Sequence, residues 1–77
     1  MKIELLFFGQ LKDIVGCQNI EFEHNGDIAS LKEILYQRFP SLKNSKFSVA
    51  MNNRLVMDHN FIEQNAEIAF MPPFSGG

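Results

Sequence analysis

The chain has 77 residues, 45% of them hydrophobic, with a formal net charge of −2. That length is one domain, and its mixed acids and bases exclude the basic surface of a nucleic-acid binder. One cysteine, Cys17, excludes an internal disulfide and fits a reducing cytoplasm, while the apolar stretch Ile3 to Phe8, broken by Glu4, is too short for a signal segment or a membrane span.

Lys2 to Phe8 reads as a strand, with Ile3, Leu5 and Phe7 on one face at period two. The opposite face carries Lys2 and Glu4, but also Leu6 and Phe8. Gly9 and Gly16 bracket a short helical turn, Gln10 to Val15, with Leu11, Ile14 and Val15 on one side. Gln18 to His24 is a second strand, with Ile20 and Phe22 inward. Asn25-Gly26 signals a turn, and Asp27 is placed to cap a helix from Ile28 to Phe39. Ile28, Leu31, Ile34, Leu35 and Phe39 form its apolar stripe, and Pro40 ends it.

Ser41 to Lys46 reads as a polar loop. Phe47, Val49 and Met51 then alternate with polar or small residues. Asn52-Asn53 suits a tight hairpin, because Asn tolerates positive φ. Arg54 to Met57 is its return strand, and Asp58 to Ala66 is irregular, anchored by Phe61 and Ile62. Glu67 to Met71 is the last strand, with Ile68 and Phe70 inward. Pro72 and Pro73 end ladder pairing and stiffen an extended exit. The order implies an α+β fold, a ubiquitin-like β-grasp with a mixed sheet of about five strands on one main helix. Residues 1–71 form that domain, and residues 72–77 form a flexible C-terminal tail.

The tail ends in Gly76-Gly77. A tip without side chains can enter a channel too narrow for a Cβ, and it presents the Gly77 α-carboxylate as its reactive group. The segment Pro72 to Gly77 reaches at most ~20 Å. Its prolines reduce the entropy lost when a partner grips it. Phe74 is read as an anchor in a partner's groove, the alternative being that it folds back on the body. Phe8, Met71 and Leu55 are expected on one exposed side near the tail, where a contiguous apolar patch reads as a protein interface. Cys17 has no cysteine neighbour and is read as structural. His24 and His59 lack metal-ligand spacing and read as solvated turn residues, so no metal site is expected.

Three segments carry a resemblance: Leu6-Phe7-Phe8-Gly9-Gln10-Leu11-Lys12 with its following Val15-Gly16, Val49-Ala50-Met51-Asn52, and Glu67 through Met71-Pro72-Pro73-Phe74-Ser75-Gly76-Gly77. Together they resemble the small subunits of molybdopterin synthase, a family of ubiquitin-like sulfur carriers. The Pro-Pro-x-x-Gly-Gly ending sets that family apart from the thiamine sulfur carriers. One departure is Asn65-Ala66, where the family often has Gly-Asp. The resemblance implies a non-catalytic, sulfur-donating subunit of a heterotetrameric transferase. A ubiquitin-activating-type adenylyltransferase would use ATP to adenylate the Gly77 carboxylate, and a sulfur donor would convert it to a thiocarboxylate. The tail, Pro72 to Gly77, would thread into the large synthase subunit, where the sulfur attacks cyclic pyranopterin monophosphate. Phe8, Lys12, Leu55, Met71 and Phe74 would contact the partner, although Lys12 also reads as a solvated charge. No bound cofactor, membrane or nucleic acid is implied. A sulfur carrier for thiamine or tRNA thiolation, or a ubiquitin-like modifier or interaction module, stays open as an alternative.

Overall fold

The computed structural model describes residues 1–73. Its elements, in order, are β1 (Lys2–Phe7), α1 (Gln10–Val15), β2 (Asn19–Glu23), α2 (Ile28–Arg38), a 3-10 turn (Pro40–Asn44), β3 (Ser48–Met51), β4 (Arg54–Leu55) and β5 (Glu67–Met71). The five strands form one sheet in the order β2-β1-β5-β3-β4. β1 and β5 run parallel at its centre, and every other pairing is antiparallel. This is the ubiquitin-like β-grasp.

Period-two alternation builds the inner face. Ile3, Leu5 and Phe7 from β1 and Ile68 and Phe70 from β5 are buried together with Ile28, Leu31 and Leu35 of α2. Phe7 and Phe70 stack with ring centroids 5.0 Å apart, and Phe47 meets Phe70 edge-on at 5.6 Å. Such aromatic pairs add to the stabilisation from area burial alone.

The caps follow from local chemistry. The Asp27 carboxylate accepts the Ser30 N–H at 2.9 Å, closing the first turn of α2. That bond holds the Asp27 carboxyl below its ordinary value. At the other end Phe39 leaves the helical region, with φ −131° and ψ 81°, because the ring of Pro40 disfavours α geometry in the residue before it. Asn52 and Asn53 have φ of 51° and 71°, the two positive values of a type I′ hairpin. Asn65 also sits in the left-handed region, at φ 59°, which Asn tolerates.

Several sequence expectations need correction. Ile34 is 40% exposed. At ~100° per residue it lies about 60° beyond Leu31, outside the stripe of Ile28, Leu31 and Leu35. Phe61 is 76% exposed, while the next residue, Ile62, is buried. An isolated bridge pairs Phe61 with Asp27, and neighbouring side chains on extended backbone point to opposite sides. Phe22 is only half-buried, with the Arg38 guanidinium 5.6 Å from its ring centroid. The polar loop contains a 3-10 turn that buries Leu42. The return strand is two residues long, Arg54–Leu55.

His24 departs furthest from its reading as a solvated turn residue, being 7% exposed. Its Nε2 lies 3.0 Å from Ser30 Oγ, which itself donates to the Asp27 carbonyl at 2.9 Å. The Ser30 hydrogen is therefore used, and His24 Nε2–H is the donor to Ser30. Gly26 sits beside this network at φ 135°, and a Cβ there would fall 2.7 Å from Ser30 Oγ.

Candidate functional site: the outward face of the sheet and the base of the tail

Parallel pairing of β1 and β5 carries the site. Phe7 pairs with Phe70, and the Phe8 N–H extends the ladder by donating to the Phe70 carbonyl at 3.1 Å. With Phe7 and Phe70 turned inward, Phe8 and Met71 share the outward side. The same register lines up Leu6, Ala69, Ala50 and Leu55 across four strands. Phe8 is 38% exposed and Leu55 76% exposed.

Two shallow apolar depressions adjoin on this face. One, of about 350 Å³, is lined by Phe8, Met71, Pro72 and Pro73. The other, of about 330 Å³, is bounded chiefly by Leu6, Phe8, Ala50, Leu55, Ala69 and Met71. Phe8 and Met71 belong to both, so the apolar surface runs without a break from β4 to the base of the tail. Large unpartnered apolar side chains in one continuous patch mark an interface more often than scattered ones do.

Gly9 sets how the tail leaves the body. Its φ is +58°, and a Cβ built there would stand 2.9 Å from Pro72 Cγ. The proline ring therefore lies directly on the turn between β1 and α1, a close approach that only glycine permits. Pro72 is half-buried and Pro73 exposed. Lys12 is exposed on α1 and lines neither depression. Phe74, Ser75, Gly76 and Gly77 lie outside the described residues.

Phe8, Leu55, Met71, Pro72 and Pro73 are thus brought together, and Lys12 stands apart from them. Leu6, Ala50 and Ala69 complete the face. Only Leu6 was distinguishable beforehand, as an apolar residue on the polar side of β1. Ala50 and Ala69 join through strand register, which a sequence does not display. Among the described residues there is no cluster of His, Cys, Asp and Glu that could hold a metal ion, and no helix is long and apolar enough to cross a membrane. Cys17 is an exposed free thiol just before β2. The arrangement offers a continuous apolar surface, with Pro72 and Pro73 at its edge.

Comparison with known proteins agrees with that geometry. A molybdopterin synthase sulfur carrier subunit from Haemophilus influenzae is 31% identical, the alignment covering 97% of this chain and 99% of that protein. A chain in a solved protein–protein complex of subunits 1 and 2 of molybdopterin-converting factor from Helicobacter pylori superposes with a TM-score of 0.76 at 29% identity, covering all of both chains. A putative molybdopterin converting factor subunit 1 from Pyrococcus furiosus superposes with a TM-score of 0.87, covering 96% of this chain and 99% of that one, and at 17% identity it shares the fold. The ThiS family model matches residues 5–77, from the middle of β1 through the final glycine, and this chain belongs to the ThiS family.

Proposed function

We propose that this chain is the sulfur carrier subunit of a molybdopterin synthase, working in the cytoplasm. The observation that carries the reading is the 31% identity to a molybdopterin synthase sulfur carrier subunit across 97% of the chain. The apolar outward face, continuous with the base of the tail, supplies the physical rationale.

The large synthase subunit docks on Phe8, Leu55 and Met71, and the tail from Pro72 threads toward its active site. A carboxylate is a poor electrophile, so Gly77 must first be activated. An adenylyltransferase of the ubiquitin-activating type joins the Gly77 carboxylate to the α-phosphate of ATP and releases pyrophosphate. A sulfur donor then displaces AMP, leaving a thiocarboxylate. In the large subunit that sulfur is the nucleophile toward cyclic pyranopterin monophosphate, and two such transfers build the dithiolene. This chain contributes the nucleophile and its delivery. The partner contributes acid–base groups and the cations that hold phosphate.

The test is reconstitution. The full chain is incubated with ATP, the activating enzyme and a sulfur source, then passed to the large subunit with the pyranopterin. The expected result is a mass change of one oxygen-to-sulfur exchange at Gly77, followed by molybdopterin. Sulfur delivered only to thiamine precursors or to tRNA, or Gly77 joined to protein lysines, would replace this reading with one of its rivals.

A further inference from the structure

Strand pairing stops at the base of the tail. Met71 is the last residue of β5 to pair, with Ser48 of β3. Pro72 has no N–H with which to extend the ladder. Packing, not a ladder bond, therefore holds the chain at its next step. The surface it packs on is Gly9, between β1 and α1. A Cβ there would stand 2.9 Å from Pro72 Cγ and 3.5 Å from Pro72 Cδ, and the three nearest heavy atoms all belong to that one ring.

The turn that carries Gly9 is anchored on both sides. Phe7 before it and Leu11 after it are buried. The Phe8 N–H donates to the Phe70 carbonyl, and the N–H groups of Leu11 and Lys12 donate to the carbonyls of Phe8 and Gly9, each at 3.1 Å. Bulk added at position 9 therefore moves the proline and leaves the turn in place. Restoring an ordinary contact of ~3.6 Å shifts the ring by ~0.7 Å. Pivoted at the Met71 Cα, ~3.8 Å away, that is a change of ~10° in the direction of the chain. Pro72 to Gly77 reaches at most ~20 Å, so ~10° at the base carries the tip by up to ~3 Å.

We propose that Gly9 is a positioning residue for sulfur transfer. Its bare backbone is the seat of Pro72, and this seat aims the tail at the reacting centre of the large subunit. The proposal rests on the sulfur-carrier reading above and adds a division of labour within it. Phe8, Leu55 and Met71 set the affinity for the partner, and the Gly9–Pro72 contact sets the rate once the partner is bound. The reason is geometric. A nucleophile delivered on a tail must arrive within reach and in line, and a misplacement of ~1 Å can cost ~10²-fold in rate. A seat that fixes the base before binding also reduces the ordering cost when the tip enters a channel.

The experiment is a double-mutant cycle on the full chain: unmodified, Gly9→Val, Pro72→Gly and the two combined. Gly16→Val is the control. Gly16 closes α1 at φ 94° with nothing within 4 Å of a Cβ, so this variant carries backbone strain without touching the tail. Each chain is prepared as its Gly77 thiocarboxylate by sulfide cleavage of an intein fusion, which bypasses the activating enzyme. Affinity for the purified large subunit, single-turnover molybdopterin formation at saturation and thermal melting are then measured. Both valine variants should melt lower than the unmodified chain, because each places a β-branched residue at positive φ. Gly9→Val should bind the large subunit within about twofold of the unmodified chain and transfer sulfur about tenfold more slowly or worse. Gly16→Val should transfer at the unmodified rate. In the Pro72→Gly background Gly9→Val should cost less than about twofold, since the ring it displaces is gone. Should Gly9→Val not melt cooperatively, Gly9→Ala makes the same 2.9 Å contact with less bulk and is read through the same cycle. Normal transfer by the position 9 variant, a loss of affinity in place of rate, an equal loss in Gly16→Val, or the same loss with and without the proline ring overturns the proposal and leaves the sulfur-carrier reading intact. An unmodified thiocarboxylate that yields no molybdopterin overturns both.

Discussion

At the scale of single residues, Asp27 shows how one side chain links sequence, local structure and pH. Its carboxylate accepts the Ser30 N–H, and this lowers its proton affinity in the fold. A carboxyl whose folded value is depressed stabilises the protein above its ordinary value near 3.8, and that stabilisation is lost as pH falls through the folded value. Asp27→Asn should therefore lower the melting temperature at pH 7, and the gap from the unmodified protein should close as pH falls below the ordinary carboxyl value and through the lower folded one. Thermal melts across that range check it, and a gap that stays constant would remove the carboxylate's charge from the explanation. Aromatic residues give a second contrast. Phe70→Ala empties the centre of the core and should cost ~3–5 kcal/mol in chemical denaturation. Phe8→Asp and Leu55→Asp fall on the outward face and should barely change stability while weakening capture by the large subunit. A drop for Phe8→Asp as large as that for Phe70→Ala would mean that Phe8 belongs to the core.

At the scale of elements, strands and caps were legible because their signals are local. Alternation marks β1 and β5, Asp27 marks the start of α2, and Asn52-Asn53 marks the hairpin. What was not legible depends on partners far along the chain. Leu42 is buried by tertiary packing of a segment that reads as polar, and His24 is buried with its Nε2 3.0 Å from the hydroxyl of Ser30, six residues on. Phe61 and Ile62 differ only in which side of the backbone they occupy. The apolar face was legible at Phe8, Leu55 and Met71, while Ala50 and Ala69 enter it through register alone. The hairpin itself carries a prediction. Asn52 holds β3 to β5 twice, accepting the Glu67 N–H through Oδ1 at 3.0 Å and donating its own N–H to the Glu67 carbonyl at 2.9 Å. Asn53 contributes positive φ. Asn53→Gly should thus be neutral or mildly stabilising, whereas Asn52→Gly keeps the turn geometry and loses the side-chain bonds to Glu67 and Glu63, costing about 1 kcal/mol. Denaturation of the two variants side by side separates the roles, and equal effects would refute the division.

At the scale of the whole molecule, the sheet brings Phe8, Leu55, Met71 and Pro72, described residues that the proposed function invokes, onto one face. The two central strands deliver Phe8 and Met71 side by side, and Pro72 rests on Gly9 where the tail departs. Under the proposed function, activation and sulfur transfer would each take Gly77 into a narrow channel, so both partners would use the same side-chain-free tip and the same neighbouring face. Gly76→Val should leave the fold unchanged and block both steps, because a β-branched side chain widens the tip and restricts its backbone. The normal melting curve expected of this variant separates a threading defect from a folding defect. A shared surface would have a kinetic consequence as well: the carrier would have to leave the activating enzyme before it reaches the synthase. Added large subunit should therefore displace the activating enzyme from the uncharged carrier in proportion to its own affinity, with the concentration dependence of simple competition. Size-exclusion chromatography or fluorescence anisotropy with a labelled carrier would follow the exchange. A stable ternary complex of carrier, activating enzyme and large subunit would show that the two partners hold separate surfaces, and the outward face would then belong to only one of them.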